Sequence, residues 1–414
     1  MNTTTHVSPS AFTLSALPAS APAAARAVFK LLARLRHGRL DVQLPDGSKA
    51  HFGSLHEAGD THATIRLRNW AVCGASLRSG DIGFAESYIA GDWSTPDLAA
   101  LLRLFIANRD DIEQVVYGTW WGSLLHRVRH LLNRNSKRGS KKNIHAHYDL
   151  GNAFYELWLD ESMSYSSAWF AGDHSQPMEG AQRAKARRAL AEVQLAPGAR
   201  LLEIGCGWGG LAELAARDFG VHVTGVTLSA AQLDHAQRRI DVAGLAPRVE
   251  LRLQDYRDIA DGPFDAIVSI EMFEAVGRAY WDDYFACVRQ QLKPGGRACI
   301  QSITIRDDLF ERYVKGTDFI QQYIFPGGLL PSVSVFEAEA RKAGFEVERS
   351  LRFGTDYAET LRRWRERFMR EETRVLELGF DARFVRIWEF YLAYCEAAFD
   401  AGNTDIVQFT LRRD

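Results

Sequence analysis

The chain has 414 residues, with 50 Lys+Arg against 52 Asp+Glu. That length suits two or three domains with a sizeable core, and the near-neutral balance excludes a bulk-charge case for nucleic acid as a partner. Five scattered cysteines with no Cys-x-x-Cys pair exclude a disulfide framework or a structural zinc site, and read as a reduced, cytoplasmic chain.

Residues 1–25 are rich in Ser, Thr, Ala and Pro. The run from Ala19 to Ala27 resembles a signal-peptide cleavage region, but no basic segment precedes it and no continuous apolar core follows Met1. It reads as a disordered tail. From Ala24 to Arg36 the apolar residues Val28, Leu31, Leu32 and Leu35 recur at helical spacing. Alternation over 40–44, the turn Pro45-Asp46-Gly47 and alternation over 63–67 predict a small sheet, and Asp97 to Asn108 predicts an amphipathic helix. Residues 26–120 are therefore expected to form a small α+β domain. A basic linker follows at 121–142, where Arg127, Arg129, Arg134, Lys137, Arg138, Lys141 and Lys142 have no acid between them. It reads equally as a solvated connector or as a site drawn to anionic headgroups, at about 1 kcal/mol per basic residue near the surface. No apolar run is long enough to cross a bilayer.

From Asn143 onward the pattern is α/β. Strands are predicted at 200–204, 222–227, 249–253, 264–270 and 297–303, with helices between them, which implies a parallel, doubly wound sheet. The cofactor of such a sheet lies at the carboxyl ends of the strands. The first strand runs into Glu203-Ile204-Gly205-Cys206-Gly207-Trp208-Gly209-Gly210, an acid and a glycine turn opening a helix. The spacing is Gly-x-Gly-x-Gly, not the Gly-x-Gly-x-x-Gly of dinucleotide folds. It suits S-adenosylmethionine (AdoMet), which has a ribose and an amino-acid tail to hydrogen-bond and no pyrophosphate to cradle.

The later strand ends add to this. Thr227, Leu228, Ser229 and Gln232 offer neutral polar contacts where a dinucleotide fold prefers an acid. Asp255, Tyr256 and Arg257 can meet the edge and face of an adenine. Ile270 opens the segment Ile-Glu-Met-Phe-Glu-Ala-Val-Gly, which lacks the proline pair of enzymes that methylate DNA amino groups. Beyond the sheet, Tyr313, Phe319, Tyr323, Phe325, Phe336, Tyr357, Trp364 and Phe368 either build core or wall an acyl tunnel.

With these residues the chain resembles the cyclopropane-fatty-acyl-phospholipid synthase family, including the mycolic acid cyclopropane synthases. The segment from His145 to Asn152 matches the entry motif, with His147 and Tyr148 as a lid over the cofactor. Met163 to Ala168, with Tyr165 and Ser166, matches a loop that closes over AdoMet. The glycine turn matches, as do Tyr323 to Gly328 and Leu330-Pro331-Ser332. Tyr357 stands in an Asp-Tyr-x-x-Thr-Leu segment before Trp364. Cys395 ends Tyr-Leu-Ala-Tyr-Cys, and Phe399 and Gln408-Phe409 follow.

The resemblance implies a class I AdoMet-dependent methyltransferase fold over residues 143–414, with an acyl-chain pocket. It implies that the cis double bond of a phospholipid acyl chain attacks the AdoMet methyl group, and that the resulting cation loses a proton and closes a cyclopropane ring. The implied proton acceptor is a bound bicarbonate, held by Glu274, Tyr357, and the positions of Ser167 and Gln301, where the family usually has cysteine and histidine. Glu274 and bicarbonate would share one proton. Cys395 matches a cysteine assigned to the family's active site, but by itself reads as a small buried packing group. The implied partner is an unsaturated phospholipid at the inner membrane leaflet, with a homodimer possible and no metal. A methyl- or methylene-branched product and a catalytically silent lipid-binding protein are the alternatives.

Overall fold

The computed structural model describes residues 17–55, 60–112 and 150–414. The expected basic linker and the lid residues His147 and Tyr148 lie outside them. Two compact units divide the chain. The first takes the described residues up to 112 together with Asp381–Ala401, and the second takes those from 150 to 380 together with Gly402–Asp414.

In the first unit, α1 (Ala23–Leu32) buries Ala25, Val28, Phe29, Leu31 and Leu32. It begins inside the expected tail, and Leu17 and Ala21 are already buried, so residues 17–25 belong to this unit, while the rest of the expected tail lies outside the described residues. Four strands follow the order β2 (Lys49–Ser54), β1 (Gly38–Gln43), β3 (His62–Leu67), β4 (Trp93–Ser94). Strand β2 escaped the sequence because only Ala50 and Phe52 turn inward from it. Helix α2 (Ala71–Ala90) kinks at Gly80, whose φ is 57°. Helix α3 (Leu98–Ala107) starts where Asp97 accepts from the Ala100 N–H at 2.9 Å.

The second unit is a seven-stranded sheet. It uses β5 (Arg200–Ile204), β6 (His222–Thr227), β7 (Val249–Leu253), β8 (Phe264–Ile270), β9 (Leu292–Ile305), β10 (Phe345–Arg352) and β11 (Thr404–Arg413), in the order β10-β11-β9-β8-β5-β6-β7. Strands β5 to β9 pair in parallel, and the first four fall on their predicted spans. The purely parallel expectation needs one correction: β11 lies antiparallel between β9 and β10. Its inward run Ile406–Leu411 is continuously buried, so it lacks the alternation that marks a half-buried strand.

Helices α4 (Asn152–Trp158), α5 (Met178–Glu192), α6 (Gly210–Asp218), α7 (Ala230–Val242), α8 (Trp281–Gln291), α9 (Asp307–Lys315), α10 (Phe319–Tyr323), α11 (Val333–Lys342), α12 (Gly354–Arg370) and α13 (Glu372–Glu377) complete this unit. The pleat sends neighbouring residues to opposite faces. Leu202, Ile204 and Ile267 join a core with Phe273, Phe285, Phe336 and Phe409. Leu201, Val223 and Val268 join another with Leu190, Ala215 and Ile240. Covering both faces is what a parallel sheet requires. No described helix is long and apolar enough to cross a membrane.

The last helix, α14 (Ala382–Asp400), returns to the first unit. There the Tyr394 hydroxyl donates to Asp81 at 2.9 Å, and Arg103 pairs with Asp400 at 2.8 Å. Asn108, 1% exposed, ties this unit's start to the end of α3. Its Oδ1 accepts from the N–H groups of Arg36 and His37, and its Nδ2 donates to the carbonyls of His37 and Leu104. Asn108→Ala should therefore cost roughly 3 kcal/mol in chemical denaturation. Asn108→Asp, which keeps the acceptor but sets a carboxylate oxygen against the His37 and Leu104 carbonyls, should cost at least as much as the alanine variant.

Candidate active site

The ends of β5, β6 and β8 open on a cavity of about 870 Å³. Glu203, Gly205, Cys206, Gly207 and Trp208 line it from the first turn, Thr227, Leu228 and Gln232 from the second, Asp255, Tyr256 and Arg257 from the third, and Ile270 and Glu271 from the fourth. Tyr165 and Ser166 line it from the loop before α5. Gly205 and Gly207 have φ of 87° and 50°, and a Cβ on Gly207 would meet only open space. The chain thus passes the cavity with bare backbone at the point where a close approach is needed. Glu203 is 3% exposed and its Oε2 has no partner among the described residues. A buried unpaired acceptor facing a cavity fits a ligand with hydroxyl or ammonium donors, as AdoMet has. Thr227 and Gln232 meet each other at 3.1 Å, and Arg257 grips Asp255 through two hydrogen bonds of 2.8 and 2.6 Å.

Two expected cofactor residues do something else. Gly209 does not line the cavity; a Cβ there would come within 2.9 Å of Ala236, so the glycine lets α7 approach the turn. Ser229 caps α7 by accepting from the Gln232 N–H.

Behind Ile270 the expected anion site takes an unexpected form. The donors given to bicarbonate all reach Glu271 instead. The Ser167 N–H and the Gln301 Nε2 each donate to its Oε1 at 2.8 Å, and the Tyr357 hydroxyl donates to its Oε2 at 2.7 Å. The Ser167 hydroxyl turns away to the Ala168 carbonyl, so only backbone at this position touches the carboxylate. A second anion there would find these donors spent and a negative neighbour, so these residues do not fit bicarbonate as the resemblance describes it.

Glu274 is not part of that cluster. It accepts from the Ile303 N–H, its Oε2 has no partner among the described residues, and it does not line the cavity. Burial first, then the Glu271 charge, pushes it up to about 8, so it is mostly protonated at neutral pH. Burial also raises Glu271, and Lys185 and the three donors offset only part of that rise. Lys185 is 3% exposed, donates to Ser166 Oγ, and is brought down to about 8 by burial, with Glu271, Asp160 and Glu203 opposing.

The Asp-Tyr-x-x-Thr segment acquires a mechanical meaning at the start of α12. Asp356 accepts from the N–H groups of Phe170 and Ala171 at 2.7 and 3.1 Å, and Thr360 Oγ1 accepts from the Ala168 N–H at 3.1 Å. Together they clamp the loop that presents the Ser167 N–H. Cys395 takes no part: it sits on α14 in the first unit and lines none of the cavity. The aromatics expected to wall a tunnel are also off this cavity's lining. Phe336 stacks on Phe409 at 4.0 Å in the sheet core, and Trp364 packs against Trp158 and Tyr165.

The sequence analysis gave no site role to Glu271, Lys185, Gln408 or Asp356. The available signals were the acid directly after a strand, and the Gln-Phe and Asp-Tyr segments.

A family model described as Mycolic acid cyclopropane synthetase matches residues 135–409. A tuberculostearic acid methyltransferase of Mycobacterium tuberculosis is 41% identical over 344 residues, covering 81% of this chain and 80% of that protein. The cyclopropane-fatty-acyl-phospholipid synthase of Escherichia coli is 37% identical over 357 residues, covering 86% and 89%. Among solved structures, mycolic acid cyclopropane synthase CmaA1 complexed with SAH and CTAB matches with a TM-score of 0.62 and 32% identity, over 66% of this chain and 98% of that one. The chain therefore belongs to the mycolic acid cyclopropane synthetase family, as an AdoMet-dependent methyltransferase of lipid acyl chains.

Proposed function

We propose that this protein alkylates the cis double bond of an unsaturated phospholipid acyl chain with the AdoMet methyl group and closes a cyclopropane ring. The observation that carries the reading is the juxtaposition, in one cavity, of a glycine turn with an unpaired acid and a half-buried, donor-held carboxylate. When bound, AdoMet supplies a methyl group on a positively charged sulfur. Glu203, the backbone of Gly205 and Gly207, Gln232 and the Asp255–Arg257 loop hold it. Tyr165 and Met272 add apolar surface to the cavity wall. An alkene is a weak nucleophile, so alignment in a dry site supplies much of the acceleration. The developing cation is steadied by aromatic faces and by the nearby carboxylate. The phospholipid is met at a membrane surface, and neutralising the basic linker would test that contact.

The 41% identity to a tuberculostearic acid methyltransferase favours a second reading, a branched chain formed from the same cation. Purified protein, AdoMet and dioleoyl phospholipid vesicles should give a lipid heavier by one methylene whose added carbon is opened by acid methanolysis. An acid-stable product of the same mass selects the branched reading, and no labelled-methyl incorporation rejects both.

Glu203→Gln keeps the shape of the side chain and removes its charge. Calorimetry should show AdoMet affinity falling on the order of 10- to 100-fold, the range of a lost charge-assisted hydrogen bond, with the folded fraction unchanged.

A further inference from the structure

We propose that Glu271 is the proton acceptor of the reaction, a carboxylate supplied by the chain in place of a bound bicarbonate. The proposal rests on the methyl-transfer reading above. Three observations carry it.

The first is convergence. Three donors from three separate segments end on one carboxylate that lines the cavity: the Ser167 N–H and Gln301 Nε2 at 2.8 Å, and the Tyr357 hydroxyl at 2.7 Å. Ser167 and Gln301 are fully buried and Tyr357 is 5% exposed.

The second is the fixed polarity of that arrangement. The Arg188 guanidinium, which can only donate, donates to Gln408 Oε1. Gln408 Nε2 is left to donate to Gln301 Oε1 at 2.9 Å. Gln301 Nε2 is thereby turned toward Glu271. The relay holds a donor against an anion, and Arg188, Gln408 and Gln301 are positioning residues for it.

The third is the backbone. Glu271 has a φ of 51°, the left-handed region that non-glycine residues enter rarely. It does so at the first position after β8, where its N–H donates to the Gln301 carbonyl at 2.8 Å. A bulky acid is kept at a position whose geometry favours glycine, and its side chain is spent on the site.

The step balances as follows. The alkene π pair forms the new carbon–carbon bond to the methyl group, and the carbon–sulfur pair stays on sulfur. The cation that results loses one proton to a Glu271 carboxylate oxygen. The freed C–H pair closes the ring, and the proton leaves later to solvent.

The test compares labelled-methyl transfer from AdoMet to dioleoyl phosphatidylglycerol vesicles in buffer stripped of carbon dioxide and in buffer with added bicarbonate. Wild-type turnover should be equal in the two. Glu271→Gly suits the local φ and frees the three donors. It should lose on the order of 100-fold or more in stripped buffer, keep AdoMet binding by calorimetry, and regain turnover with bicarbonate or formate. Glu271→Gln should lose as much and gain nothing from either anion. A purely structural role would give losses that no anion rescues. Wild-type activity that collapses without bicarbonate, or Glu271→Gly as active as wild type in stripped buffer, would overturn the assignment without touching the methyl-transfer reading. Wild type inactive in both buffers overturns that reading and the assignment with it.

Discussion

A carboxylate partly withdrawn from water has to be met by donors, and much of the second unit is arranged to meet that demand at Glu271. The donors come from far apart in the chain: Ser167 from the loop before α5, Gln301 from β9 and Tyr357 from α12. Two of them are themselves held. Asp356 and Thr360 pin the loop around Ser167, and Gln408 on β11 fixes the amide of Gln301. The antiparallel insertion of β11 beside β9 is therefore more than an edge to the sheet. It sets Gln408 directly opposite Gln301 in register, which lets one amide orient the other.

The charges around this point are unequal by construction. Burial raises Glu203, Glu271 and Glu274 alike, and Lys185 offsets part of that rise at Glu203 and Glu271, whereas Glu274 faces the like charge of Glu271. Burial thus raises both carboxyl groups, three residues apart, and only Glu271 has a cation and three donors to offset part of it. Divergent neighbours of this kind are how a single loop provides groups with different jobs at one pH.

The sheet was largely legible because its strands carry strong local signals: apolar runs closed by glycine turns, each with a helix after it. The cofactor cavity was legible for the same reason, since its residues cluster at strand ends. The carboxylate cluster was not. Its members are distant in sequence, and which of Glu271 and Glu274 faces Tyr357 depends on one backbone angle that no periodicity records. The resemblance directed attention to Glu274, and the nearer acid at the strand end went unassigned. Strand β11 was missed because a doubly buried antiparallel strand shows no alternation, and Gly209 and Ser229 look like ligand contacts until α7 is seen against them.

The route of the chain through α14 has a consequence for how the protein is made. That helix, encoded near the C-terminus, bonds Asp81 through Tyr394 across 313 positions of sequence, and the strand after it returns to the other unit. The first unit cannot be completed until residues up to 380 of the second have been made, and the second then still needs the strand that follows α14. Shortening the chain from that end would strip a helix from one unit and an inner strand from the other in the same cut. The two are thereby bound to a common fate during synthesis and turnover, whatever each would do alone.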